Sequence, residues 1–256
     1  MSQNGASSPP VQSNETLFAV VRGLDKLGSA TVTELAEYTG NAKSTVHRHL
    51  ASLYEHEYVV RDGKEYRLGL RFLNLGSKTQ QRIEQFEYLK EKLTSIAEET
   101  GELGLFVVAE HGVGYHLLCE HGTDAVQTEI HVGSRVNLHQ TAPGKAILAH
   151  LPRDKVESVI ERQGLPGRTE HTITDEDDLY HDIEITQEQG YAMDMGEYIE
   201  GLWSVGTAIL DDEGTVLGGV GVAAPAHRLE VDWFTETLPE SIMSAANEIE
   251  LQLNYL

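Results

Sequence analysis

Cysteine is almost missing: Cys119 is the single one in 256 residues. That excludes an internal disulfide and fits a reducing compartment. A lone thiol flanked by apolar residues reads as a strand core position, not a nucleophile. Long apolar runs are missing too. None approaches the roughly 18 residues that a membrane-crossing helix needs, so no membrane partner is expected. The opening MSQNGASSPPVQSN has neither the charged nor the apolar region of a secretory leader. It reads as a loose arm on a cytoplasmic protein. Positive charge is scarce, with 19 Lys and Arg, eight of them Lys, against 41 Asp and Glu and a formal net charge of −22.

An apolar content of 40% supports real cores, and the length suits two domains. The charge is unevenly placed. Residues 1–75 hold eight basic and eight acidic side chains, whereas residues 76–256 hold eleven basic and thirty-three acidic ones. The excess therefore sits entirely in the second part, with carboxylates crowded in runs such as Asp175-Glu176-Asp177-Asp178. High net charge keeps a protein soluble where salt screens its self-repulsion. A salt-loving source, a haloarchaeon, is the expectation. Molar salt would weaken phosphate contacts by removing counterion release, shifting weight to base and shape contacts.

The neutral first part contains TVTELAEYTGNAKSTVHRHLASLYEHEYVVRDGKEYRLG, residues 31–69. Thr31 and Glu34 form a Thr-x-x-Glu capping box that starts a helix. Gly40 can take the left-handed conformation that ends it, and Asn41 suits the cap of the next. In that second helix Val46, Leu50 and Leu53 make one apolar stripe. The opposite face presents Ser44, Arg48 and Ala51, flanked by Thr45, His47 and Ser52. Short hydroxyls and an Arg near a helix start suit base edges and phosphates. Two short strands then flank Asp62-Gly63, a hairpin signal, with Arg61, Lys64 and Arg67 adding positive charge. Helix, turn, helix and ribbon make a winged helix-turn-helix. The expected contacts to a double-stranded DNA operator are Lys43, Ser44, Thr45, His47, Arg48, Ser52, Arg61, Lys64 and Arg67.

Further elements follow from periodicity. A helix over 15–27, capped by Asn14, completes the winged core with Leu17, Val20, Val21 and Leu24. Residues 70–100 read as largely helical with a soft spot at Gly76, the second part running from about Gln80. Strands are expected over 104–110 and 113–120 around His111-Gly112, then over 126–131. Helices are expected over 144–150, 154–163 and from Thr174-x-x-Asp177 to Gly190. A hairpin over 202–210 and 215–223 and a helix from about Phe234 complete the chain. Such a mixture implies an α+β fold on a mostly antiparallel sheet. The domains expected are an arm over 1–13, the winged domain over 14–69, a linker helix over 70–88 and a second domain over 89–256.

Several of these stretches together resemble the IclR family of transcription regulators, from about Asn14 to Leu229. In the first domain they are Thr33-Glu34-Leu35-Ala36, Lys43-Ser44-Thr45-Val46-His47-Arg48, Tyr58-Val59 and Tyr66-Arg67-Leu68-Gly69. In the second they are Leu138-His139-Gln140-Thr141-Ala142-Pro143-Gly144-Lys145-Ala146, Gly190-Tyr191-Ala192-x-Asp194 and Glu197-x-x-x-Gly201. The resemblance implies a GAF-like effector domain and assembly as a homodimer or a dimer of dimers. It places effector binding at Thr141, Ala142, Pro143, Gly144, Asp194, Glu197, Ser204, Gly221 and Ala223. A helix start at Gly144 would offer free amides, and Asp194 could accept sugar hydroxyls. Gly221 and Ala223 supply no hydroxyl where acid-binding members often carry one, and Trp203 beside Ser204 would reshape the wall.

His111, His116, His121, His131 and His139 lack tight metal-ligand spacing, so no metal is expected. Ser204 has no partner at a recognisable motif spacing and Gly218-Gly219-Val220-Gly221 is not a phosphate loop. No catalytic residue and no cofactor are expected. The reading is a sequence-specific DNA-binding regulator, not an enzyme, sensing a sugar, sugar acid or organic acid. The alternative is a small-molecule sensor or enzyme-like binder whose winged domain serves protein contacts.

Overall fold

The computed structural model describes residues 11–83 and 86–254 and separates into two compact units, residues 1–81 and 82–256. The first contains α1 (Gln12–Leu27), β1 (Ala30–Thr31), α2 (Val32–Thr39), α3 (Lys43–Glu55), β2 (Val59–Asp62), β3 (Glu65–Leu68) and α4 (Arg71–Gln80). Helix α1 begins earlier than its expected cap. Val11 holds the cap position without a side-chain bond, and Asn14 lies inside the helix. Gln12 and Ser13, assigned to the arm, therefore belong to α1, while residues 1–10 lie outside those described.

The capping box of α2 forms as its spacing demands. Glu34 N donates to Thr31 Oγ1 at 3.3 Å and Thr31 N donates to Glu34 Oε2 at 2.7 Å. Gly40, at φ +66°, closes the helix in the left-handed conformation. Asn41 does not cap α3. Ala42 holds that position, and the Asn41 side chain donates back to Thr39 O. The apolar stripes of the three helices meet in one core in which Val20, Leu24, Leu35, Val46 and Leu50 are wholly buried.

The ribbon pairs Arg61 with Tyr66 and Asp62 with Glu65. Its two-residue loop is thus Gly63-Lys64, one position later than the Asp62-Gly63 expected. Gly63 at φ +59° meets the positive-φ demand of a tight hairpin at its first loop position. The two-residue β1 adds a third strand against β3; it is too short to carry a pattern. Helix α4 runs through Gly76 without a break and ends at Gln80. The second helix begins later than the expected Gln80, at Phe86, where the apolar positions Phe86, Leu89 and Leu93 first give it a face to bury.

The second unit contains α5 (Phe86–Thr100), β4 (Leu103–Glu110), β5 (Val113–His121), β6 (Arg135–Val136), α6 (Ala142–Ala149), α7 (Arg153–Gln163), α8 (Glu176–Gln189), β7 (Ala192–Met195), β8 (Leu202–Leu210), β9 (Val216–Pro225) and α9 (Leu238–Asn254). The strands form one antiparallel sheet in the order β6-β5-β4-β9-β8-β7, so the chain is α+β as its pattern implied. His111 and Gly112, at φ +55° and +80°, make the tight turn between β4 and β5. No strand forms over 126–131. Its polar groups are satisfied locally, Ile130 N by Thr128 Oγ1 and Glu129 O by His131 Nδ1, and β6 takes the edge instead. Asp175, not Thr174, caps α8, its carboxylate accepting from Asp177 N and Asp178 N. The expected C-terminal start at Phe234 falls in a π-helical turn, Trp233–Thr237, that leads into α9.

Alternation along the strands divides the interior in two. One sheet face buries Leu103, Leu105 and Val107 with Ile147, Leu148 and Leu179 of α6 and α8. The other buries Phe106, Val205 and Val222 with Leu89 and Leu93 of α5 and Ile242 of α9. Trp203 belongs to this second face, its ring 5.3 Å from that of Phe234. It therefore does not shape the wall beside Ser204, whose side chain points the other way.

Candidate functional site

In the first unit the stripe of Val46, Leu50 and Leu53 turns the rest of α3 outward. Lys43, Ser44, His47, Arg48 and Ser52 are exposed and Thr45 is half-buried. A helix is about 10–12 Å across, close to the width of a major groove. The ribbon splits its basic residues by register. Val59, Arg61, Tyr66 and Leu68 share the face that carries the core, whereas Val60, Asp62, Glu65 and Arg67 face away. Arg61 is fixed in place, its Nε donating to Gly63 O at 2.9 Å and its guanidinium lying 5.6 Å from the centre of the Tyr66 ring. Arg61, Lys64 and His47 meet at a cleft of about 300 Å³ between the ribbon and the starts of α2 and α3. Arg67 is exposed but lies on the other face, apart from this group.

In the second unit the register aligns Asp194 with Ser204, Ser204 with Ala223 and Ala223 with Leu103. Thr141, Ala142, Pro143, Gly144, Asp194, Glu197, Ser204, Gly221 and Ala223 are all buried. They fall into two groups. The first is the start of α6, which presses on bare sheet backbone. A Cβ on Gly219 would lie 2.4 Å from Pro143 O, and one on Gly221 2.8 Å from Pro143 Cγ. Gly221 thus serves close packing. The Gly144 amide is not free, because it donates to Thr141 Oγ1 at 3.2 Å.

The second group is a buried charge network. Lys145 is only 1% exposed, and its Nζ donates to Glu197 Oε1 at 2.7 Å and lies 3.3 Å from the Asp182 carboxylate of α8. Glu197 N donates to Asp194 Oδ1 at 2.6 Å, and Ser204 Oγ donates to Asp194 Oδ2 at 3.3 Å. Burial, with the Glu197 charge adding to it, pushes the Asp194 carboxyl up to about 7. Burial also raises Glu197, against the opposing pull of Lys145, and its Oε2 has no hydrogen-bond partner. The arrangement offers buried carboxylate acceptors, one of which already takes the Ser204 hydroxyl.

Beside this network lies a cavity of about 490 Å³ bordered by Thr128, Glu129, Arg168, Tyr198, Leu202 and Pro225. Arg168 stacks on Tyr198 at 4.1 Å and pairs with Glu129. The sequence reading missed Asp182, Arg168 and Tyr198 as site neighbours. Lys145 carried a usable signal: a lysine alone within the apolar octet of α6 must find a buried counter-charge. Arg168 stands in a loop with no pattern. Among the histidines, His139 faces Pro166 O at 3.3 Å, and His116 is buried with neither ring nitrogen partnered. Cys119 is half-buried, and its thiol is pushed up to about 12 by burial.

Comparison with known proteins gives consistent matches along the chain. A model of the IclR helix-turn-helix domain matches residues 17–63, and one of the bacterial transcriptional regulator IclR C-terminal region matches residues 78–251. The "Probable HTH-type transcriptional regulator ArcR" of Halobacterium salinarum is 30% identical over 87% of this chain and 86% of its own length. The HTH-type transcriptional regulator KipR of Bacillus subtilis is 28% identical over 89% and 91%. The crystal structure of the Thermotoga maritima IclR superposes with a TM-score of 0.76 at 26% identity, covering 95% of this chain and 98% of that one. Among the described residues no helix is long and apolar enough to cross a membrane.

Proposed function

The chain belongs to the IclR family, DNA-binding transcriptional regulators with a C-terminal effector domain, and from there we propose that it reads a specific operator through α3 and answers to a small molecule. Its relatives are regulators, not enzymes. The observation that carries the reading is the outer face of α3, where Ser44 and Arg48 stand exposed opposite a wholly buried apolar stripe. Arg48 would make the bidentate guanine contact, and Lys43, Ser44, Thr45 and Ser52 would hold flanking phosphates and base edges. The protein acts in the cytoplasm, where that DNA lies.

Assembly as a homodimer, alone or paired again, is supported by α4. Leu70, Leu73 and Leu75 around it are 83%, 65% and 44% exposed, and none of the helix is buried within a single chain. Solvent-facing leucines at that density favour a partner surface, and two-fold pairing would read a pseudopalindrome. The effector would be a sugar, sugar acid or organic acid held near Asp194. Buried carboxylates at Asp194 and Glu197, one with an open lone pair, favour a ligand that donates hydroxyl hydrogens. The acidity of residues 76–256, together with a halobacterial relative, supports life in high salt.

The test compares Arg48→Ala with the native protein on a selected operator and on random duplex. A loss of roughly 1–3 kcal/mol on the operator, with little change on random DNA, is expected. Equal loss on both would end the base-reading role.

A further inference from the structure

Helix α7 carries its charges in separate stripes. Asp154, Glu157 and Glu161 recur at three- and four-residue spacing, and Glu157 accepts from Arg153 Nε at 3.1 Å. Lys155 and Arg162 stand apart from that stripe. The positions three and four residues to either side, where a helical partner would sit, hold no acid for either of them. Both are exposed, and neither forms an ion pair among the described residues. That is unexpected where thirty-three acids face eleven bases over residues 76–256. Both cations line a cavity of about 470 Å³ that shares no residue with the one near Asp194. The rest of its surface is mostly apolar, built by Ala109 of β4 with Leu138, Leu151 and Val159. Its walls are tied together. Gln163 Nε2 donates to His111 O in the turn between β4 and β5 at 2.9 Å, and Gln163 Oε1 accepts from Arg135 at 2.8 Å. Strand alternation puts Glu110, next to Ala109, on the opposite sheet face. Among the described residues no carboxylate lines the cavity.

We infer that this cavity binds a small carboxylic acid with an apolar body, its carboxylate held by Arg162 and Lys155 and its body laid against Ala109, Leu138, Leu151 and Val159. The volume lies within the range of small-ligand sites, which join a mainly apolar lining to a few polar groups. Two helical turns, about 10 Å, separate the backbones of the two cations, a span that side chains of their length can close onto one carboxylate. A strongly hydrated anion such as inorganic phosphate gains nothing from the apolar floor. A neutral apolar molecule gains nothing from the cations. An acid with an apolar body uses both. The site shares no residue with the group around Asp194 and Glu197, so it is a second ligand site and not part of that one.

The experiment titrates the full-length protein with octanoate by calorimetry, at the lowest KCl that keeps it folded. Octanol supplies the body without the charge, and butyrate the charge with a shorter body. A buried methylene is worth roughly fourfold in affinity, so octanoate should exceed butyrate by well over tenfold. Arg162→Gln and Lys155→Gln should each weaken octanoate by about twofold to fivefold, as exposed ion pairs do. Ala109→Glu, which sets a carboxylate on the sheet wall, should abolish binding. Lys90→Gln, an exposed cation on α5 outside the cavity, should change nothing. All four positions are exposed, so the unliganded variants should melt like the native chain. No octanoate binding, equal affinity for octanol or butyrate, or binding untouched by Ala109→Glu overturns the site. Equal weakening by Lys90→Gln would reveal general attraction of anions and overturn it too. If octanoate does not bind and the α7 variants alter sedimentation of the unliganded protein, the patch meets a second copy and the proposal falls.

Discussion

Replacing His116 by Leu should flatten the acid limb of the stability curve. His116 lies on β5 opposite Val107, on the sheet face that packs against α6. It is 1% exposed, and neither ring nitrogen has a hydrogen-bond partner. Burial first, then the nearby His131, pushes the imidazole down from its ordinary 6.5 to about 4. The unfolded chain therefore binds a proton before the folded chain does. Stability from this group is full above 6.5 and falls as the pH drops toward about 4, where both states are charged. A gap of that size amounts to about 3 kcal/mol. His116→Leu conserves volume closely and removes two unpaired polar atoms, which should also stabilise by about 1 kcal/mol or more at neutral pH. Denaturant unfolding at fixed KCl, run on both proteins across that pH window, reads the difference directly. Carboxylates elsewhere bend both curves equally, so the gap between them isolates His116. Parallel curves would show that the imidazole charges freely or is solvated, and the reasoning would fail.

Other perturbations have distinct signatures. Gly219→Ala drives a methyl toward Pro143 O and should cost about 1–3 kcal/mol, lowering the melting temperature of the second unit by several degrees; an unchanged melt would mean α6 is not seated as described. Lys145→Met strands two carboxylates and should destabilise by about 3–5 kcal/mol, with Glu197→Gln restoring part of it in the double variant; no restoration would deny the pairing. Thr31→Ala should cost the first unit about 1 kcal/mol through the lost cap, read by its thermal unfolding. Transfer to dilute buffer should unfold the acidic second unit and molar KCl should refold it. Full stability without salt would remove the case for salt adaptation.

The parts legible in the sequence were those with a repeated local pattern. Thr31, Glu34 and Gly40 bound α2 because caps are read from single residues, and Val46, Leu50 and Leu53 gave the orientation of α3 directly. The hairpins around Gly112 and Gly214 were equally plain. Patternless pieces were not. Residues 126–131 look like a strand because Val126 and Ile130 are β-formers, but their backbone is satisfied by neighbouring side chains. β7 is only four residues, and Trp203 and Ser204 take opposite faces by alternation that the motif alone did not weigh. The charged network was half legible. Lys145 and Glu197 stand in recognisable stretches, whereas Asp182 joins them only because α8 folds back over α6.

The start of helix α6, at Ala142 and Pro143, rests on glycine backbone at Gly206, Gly219 and Gly221, whereas Ile147 and Leu148 further along it interlock with the core. At that first turn the sheet offers no side chain to grip. The grip comes instead from the ammonium at Lys145, clasped by acids from two other segments. A molecule that loosened that clasp would therefore free the front end of the helix while its rear stayed keyed into the interior, turning a small chemical event into a local tilt.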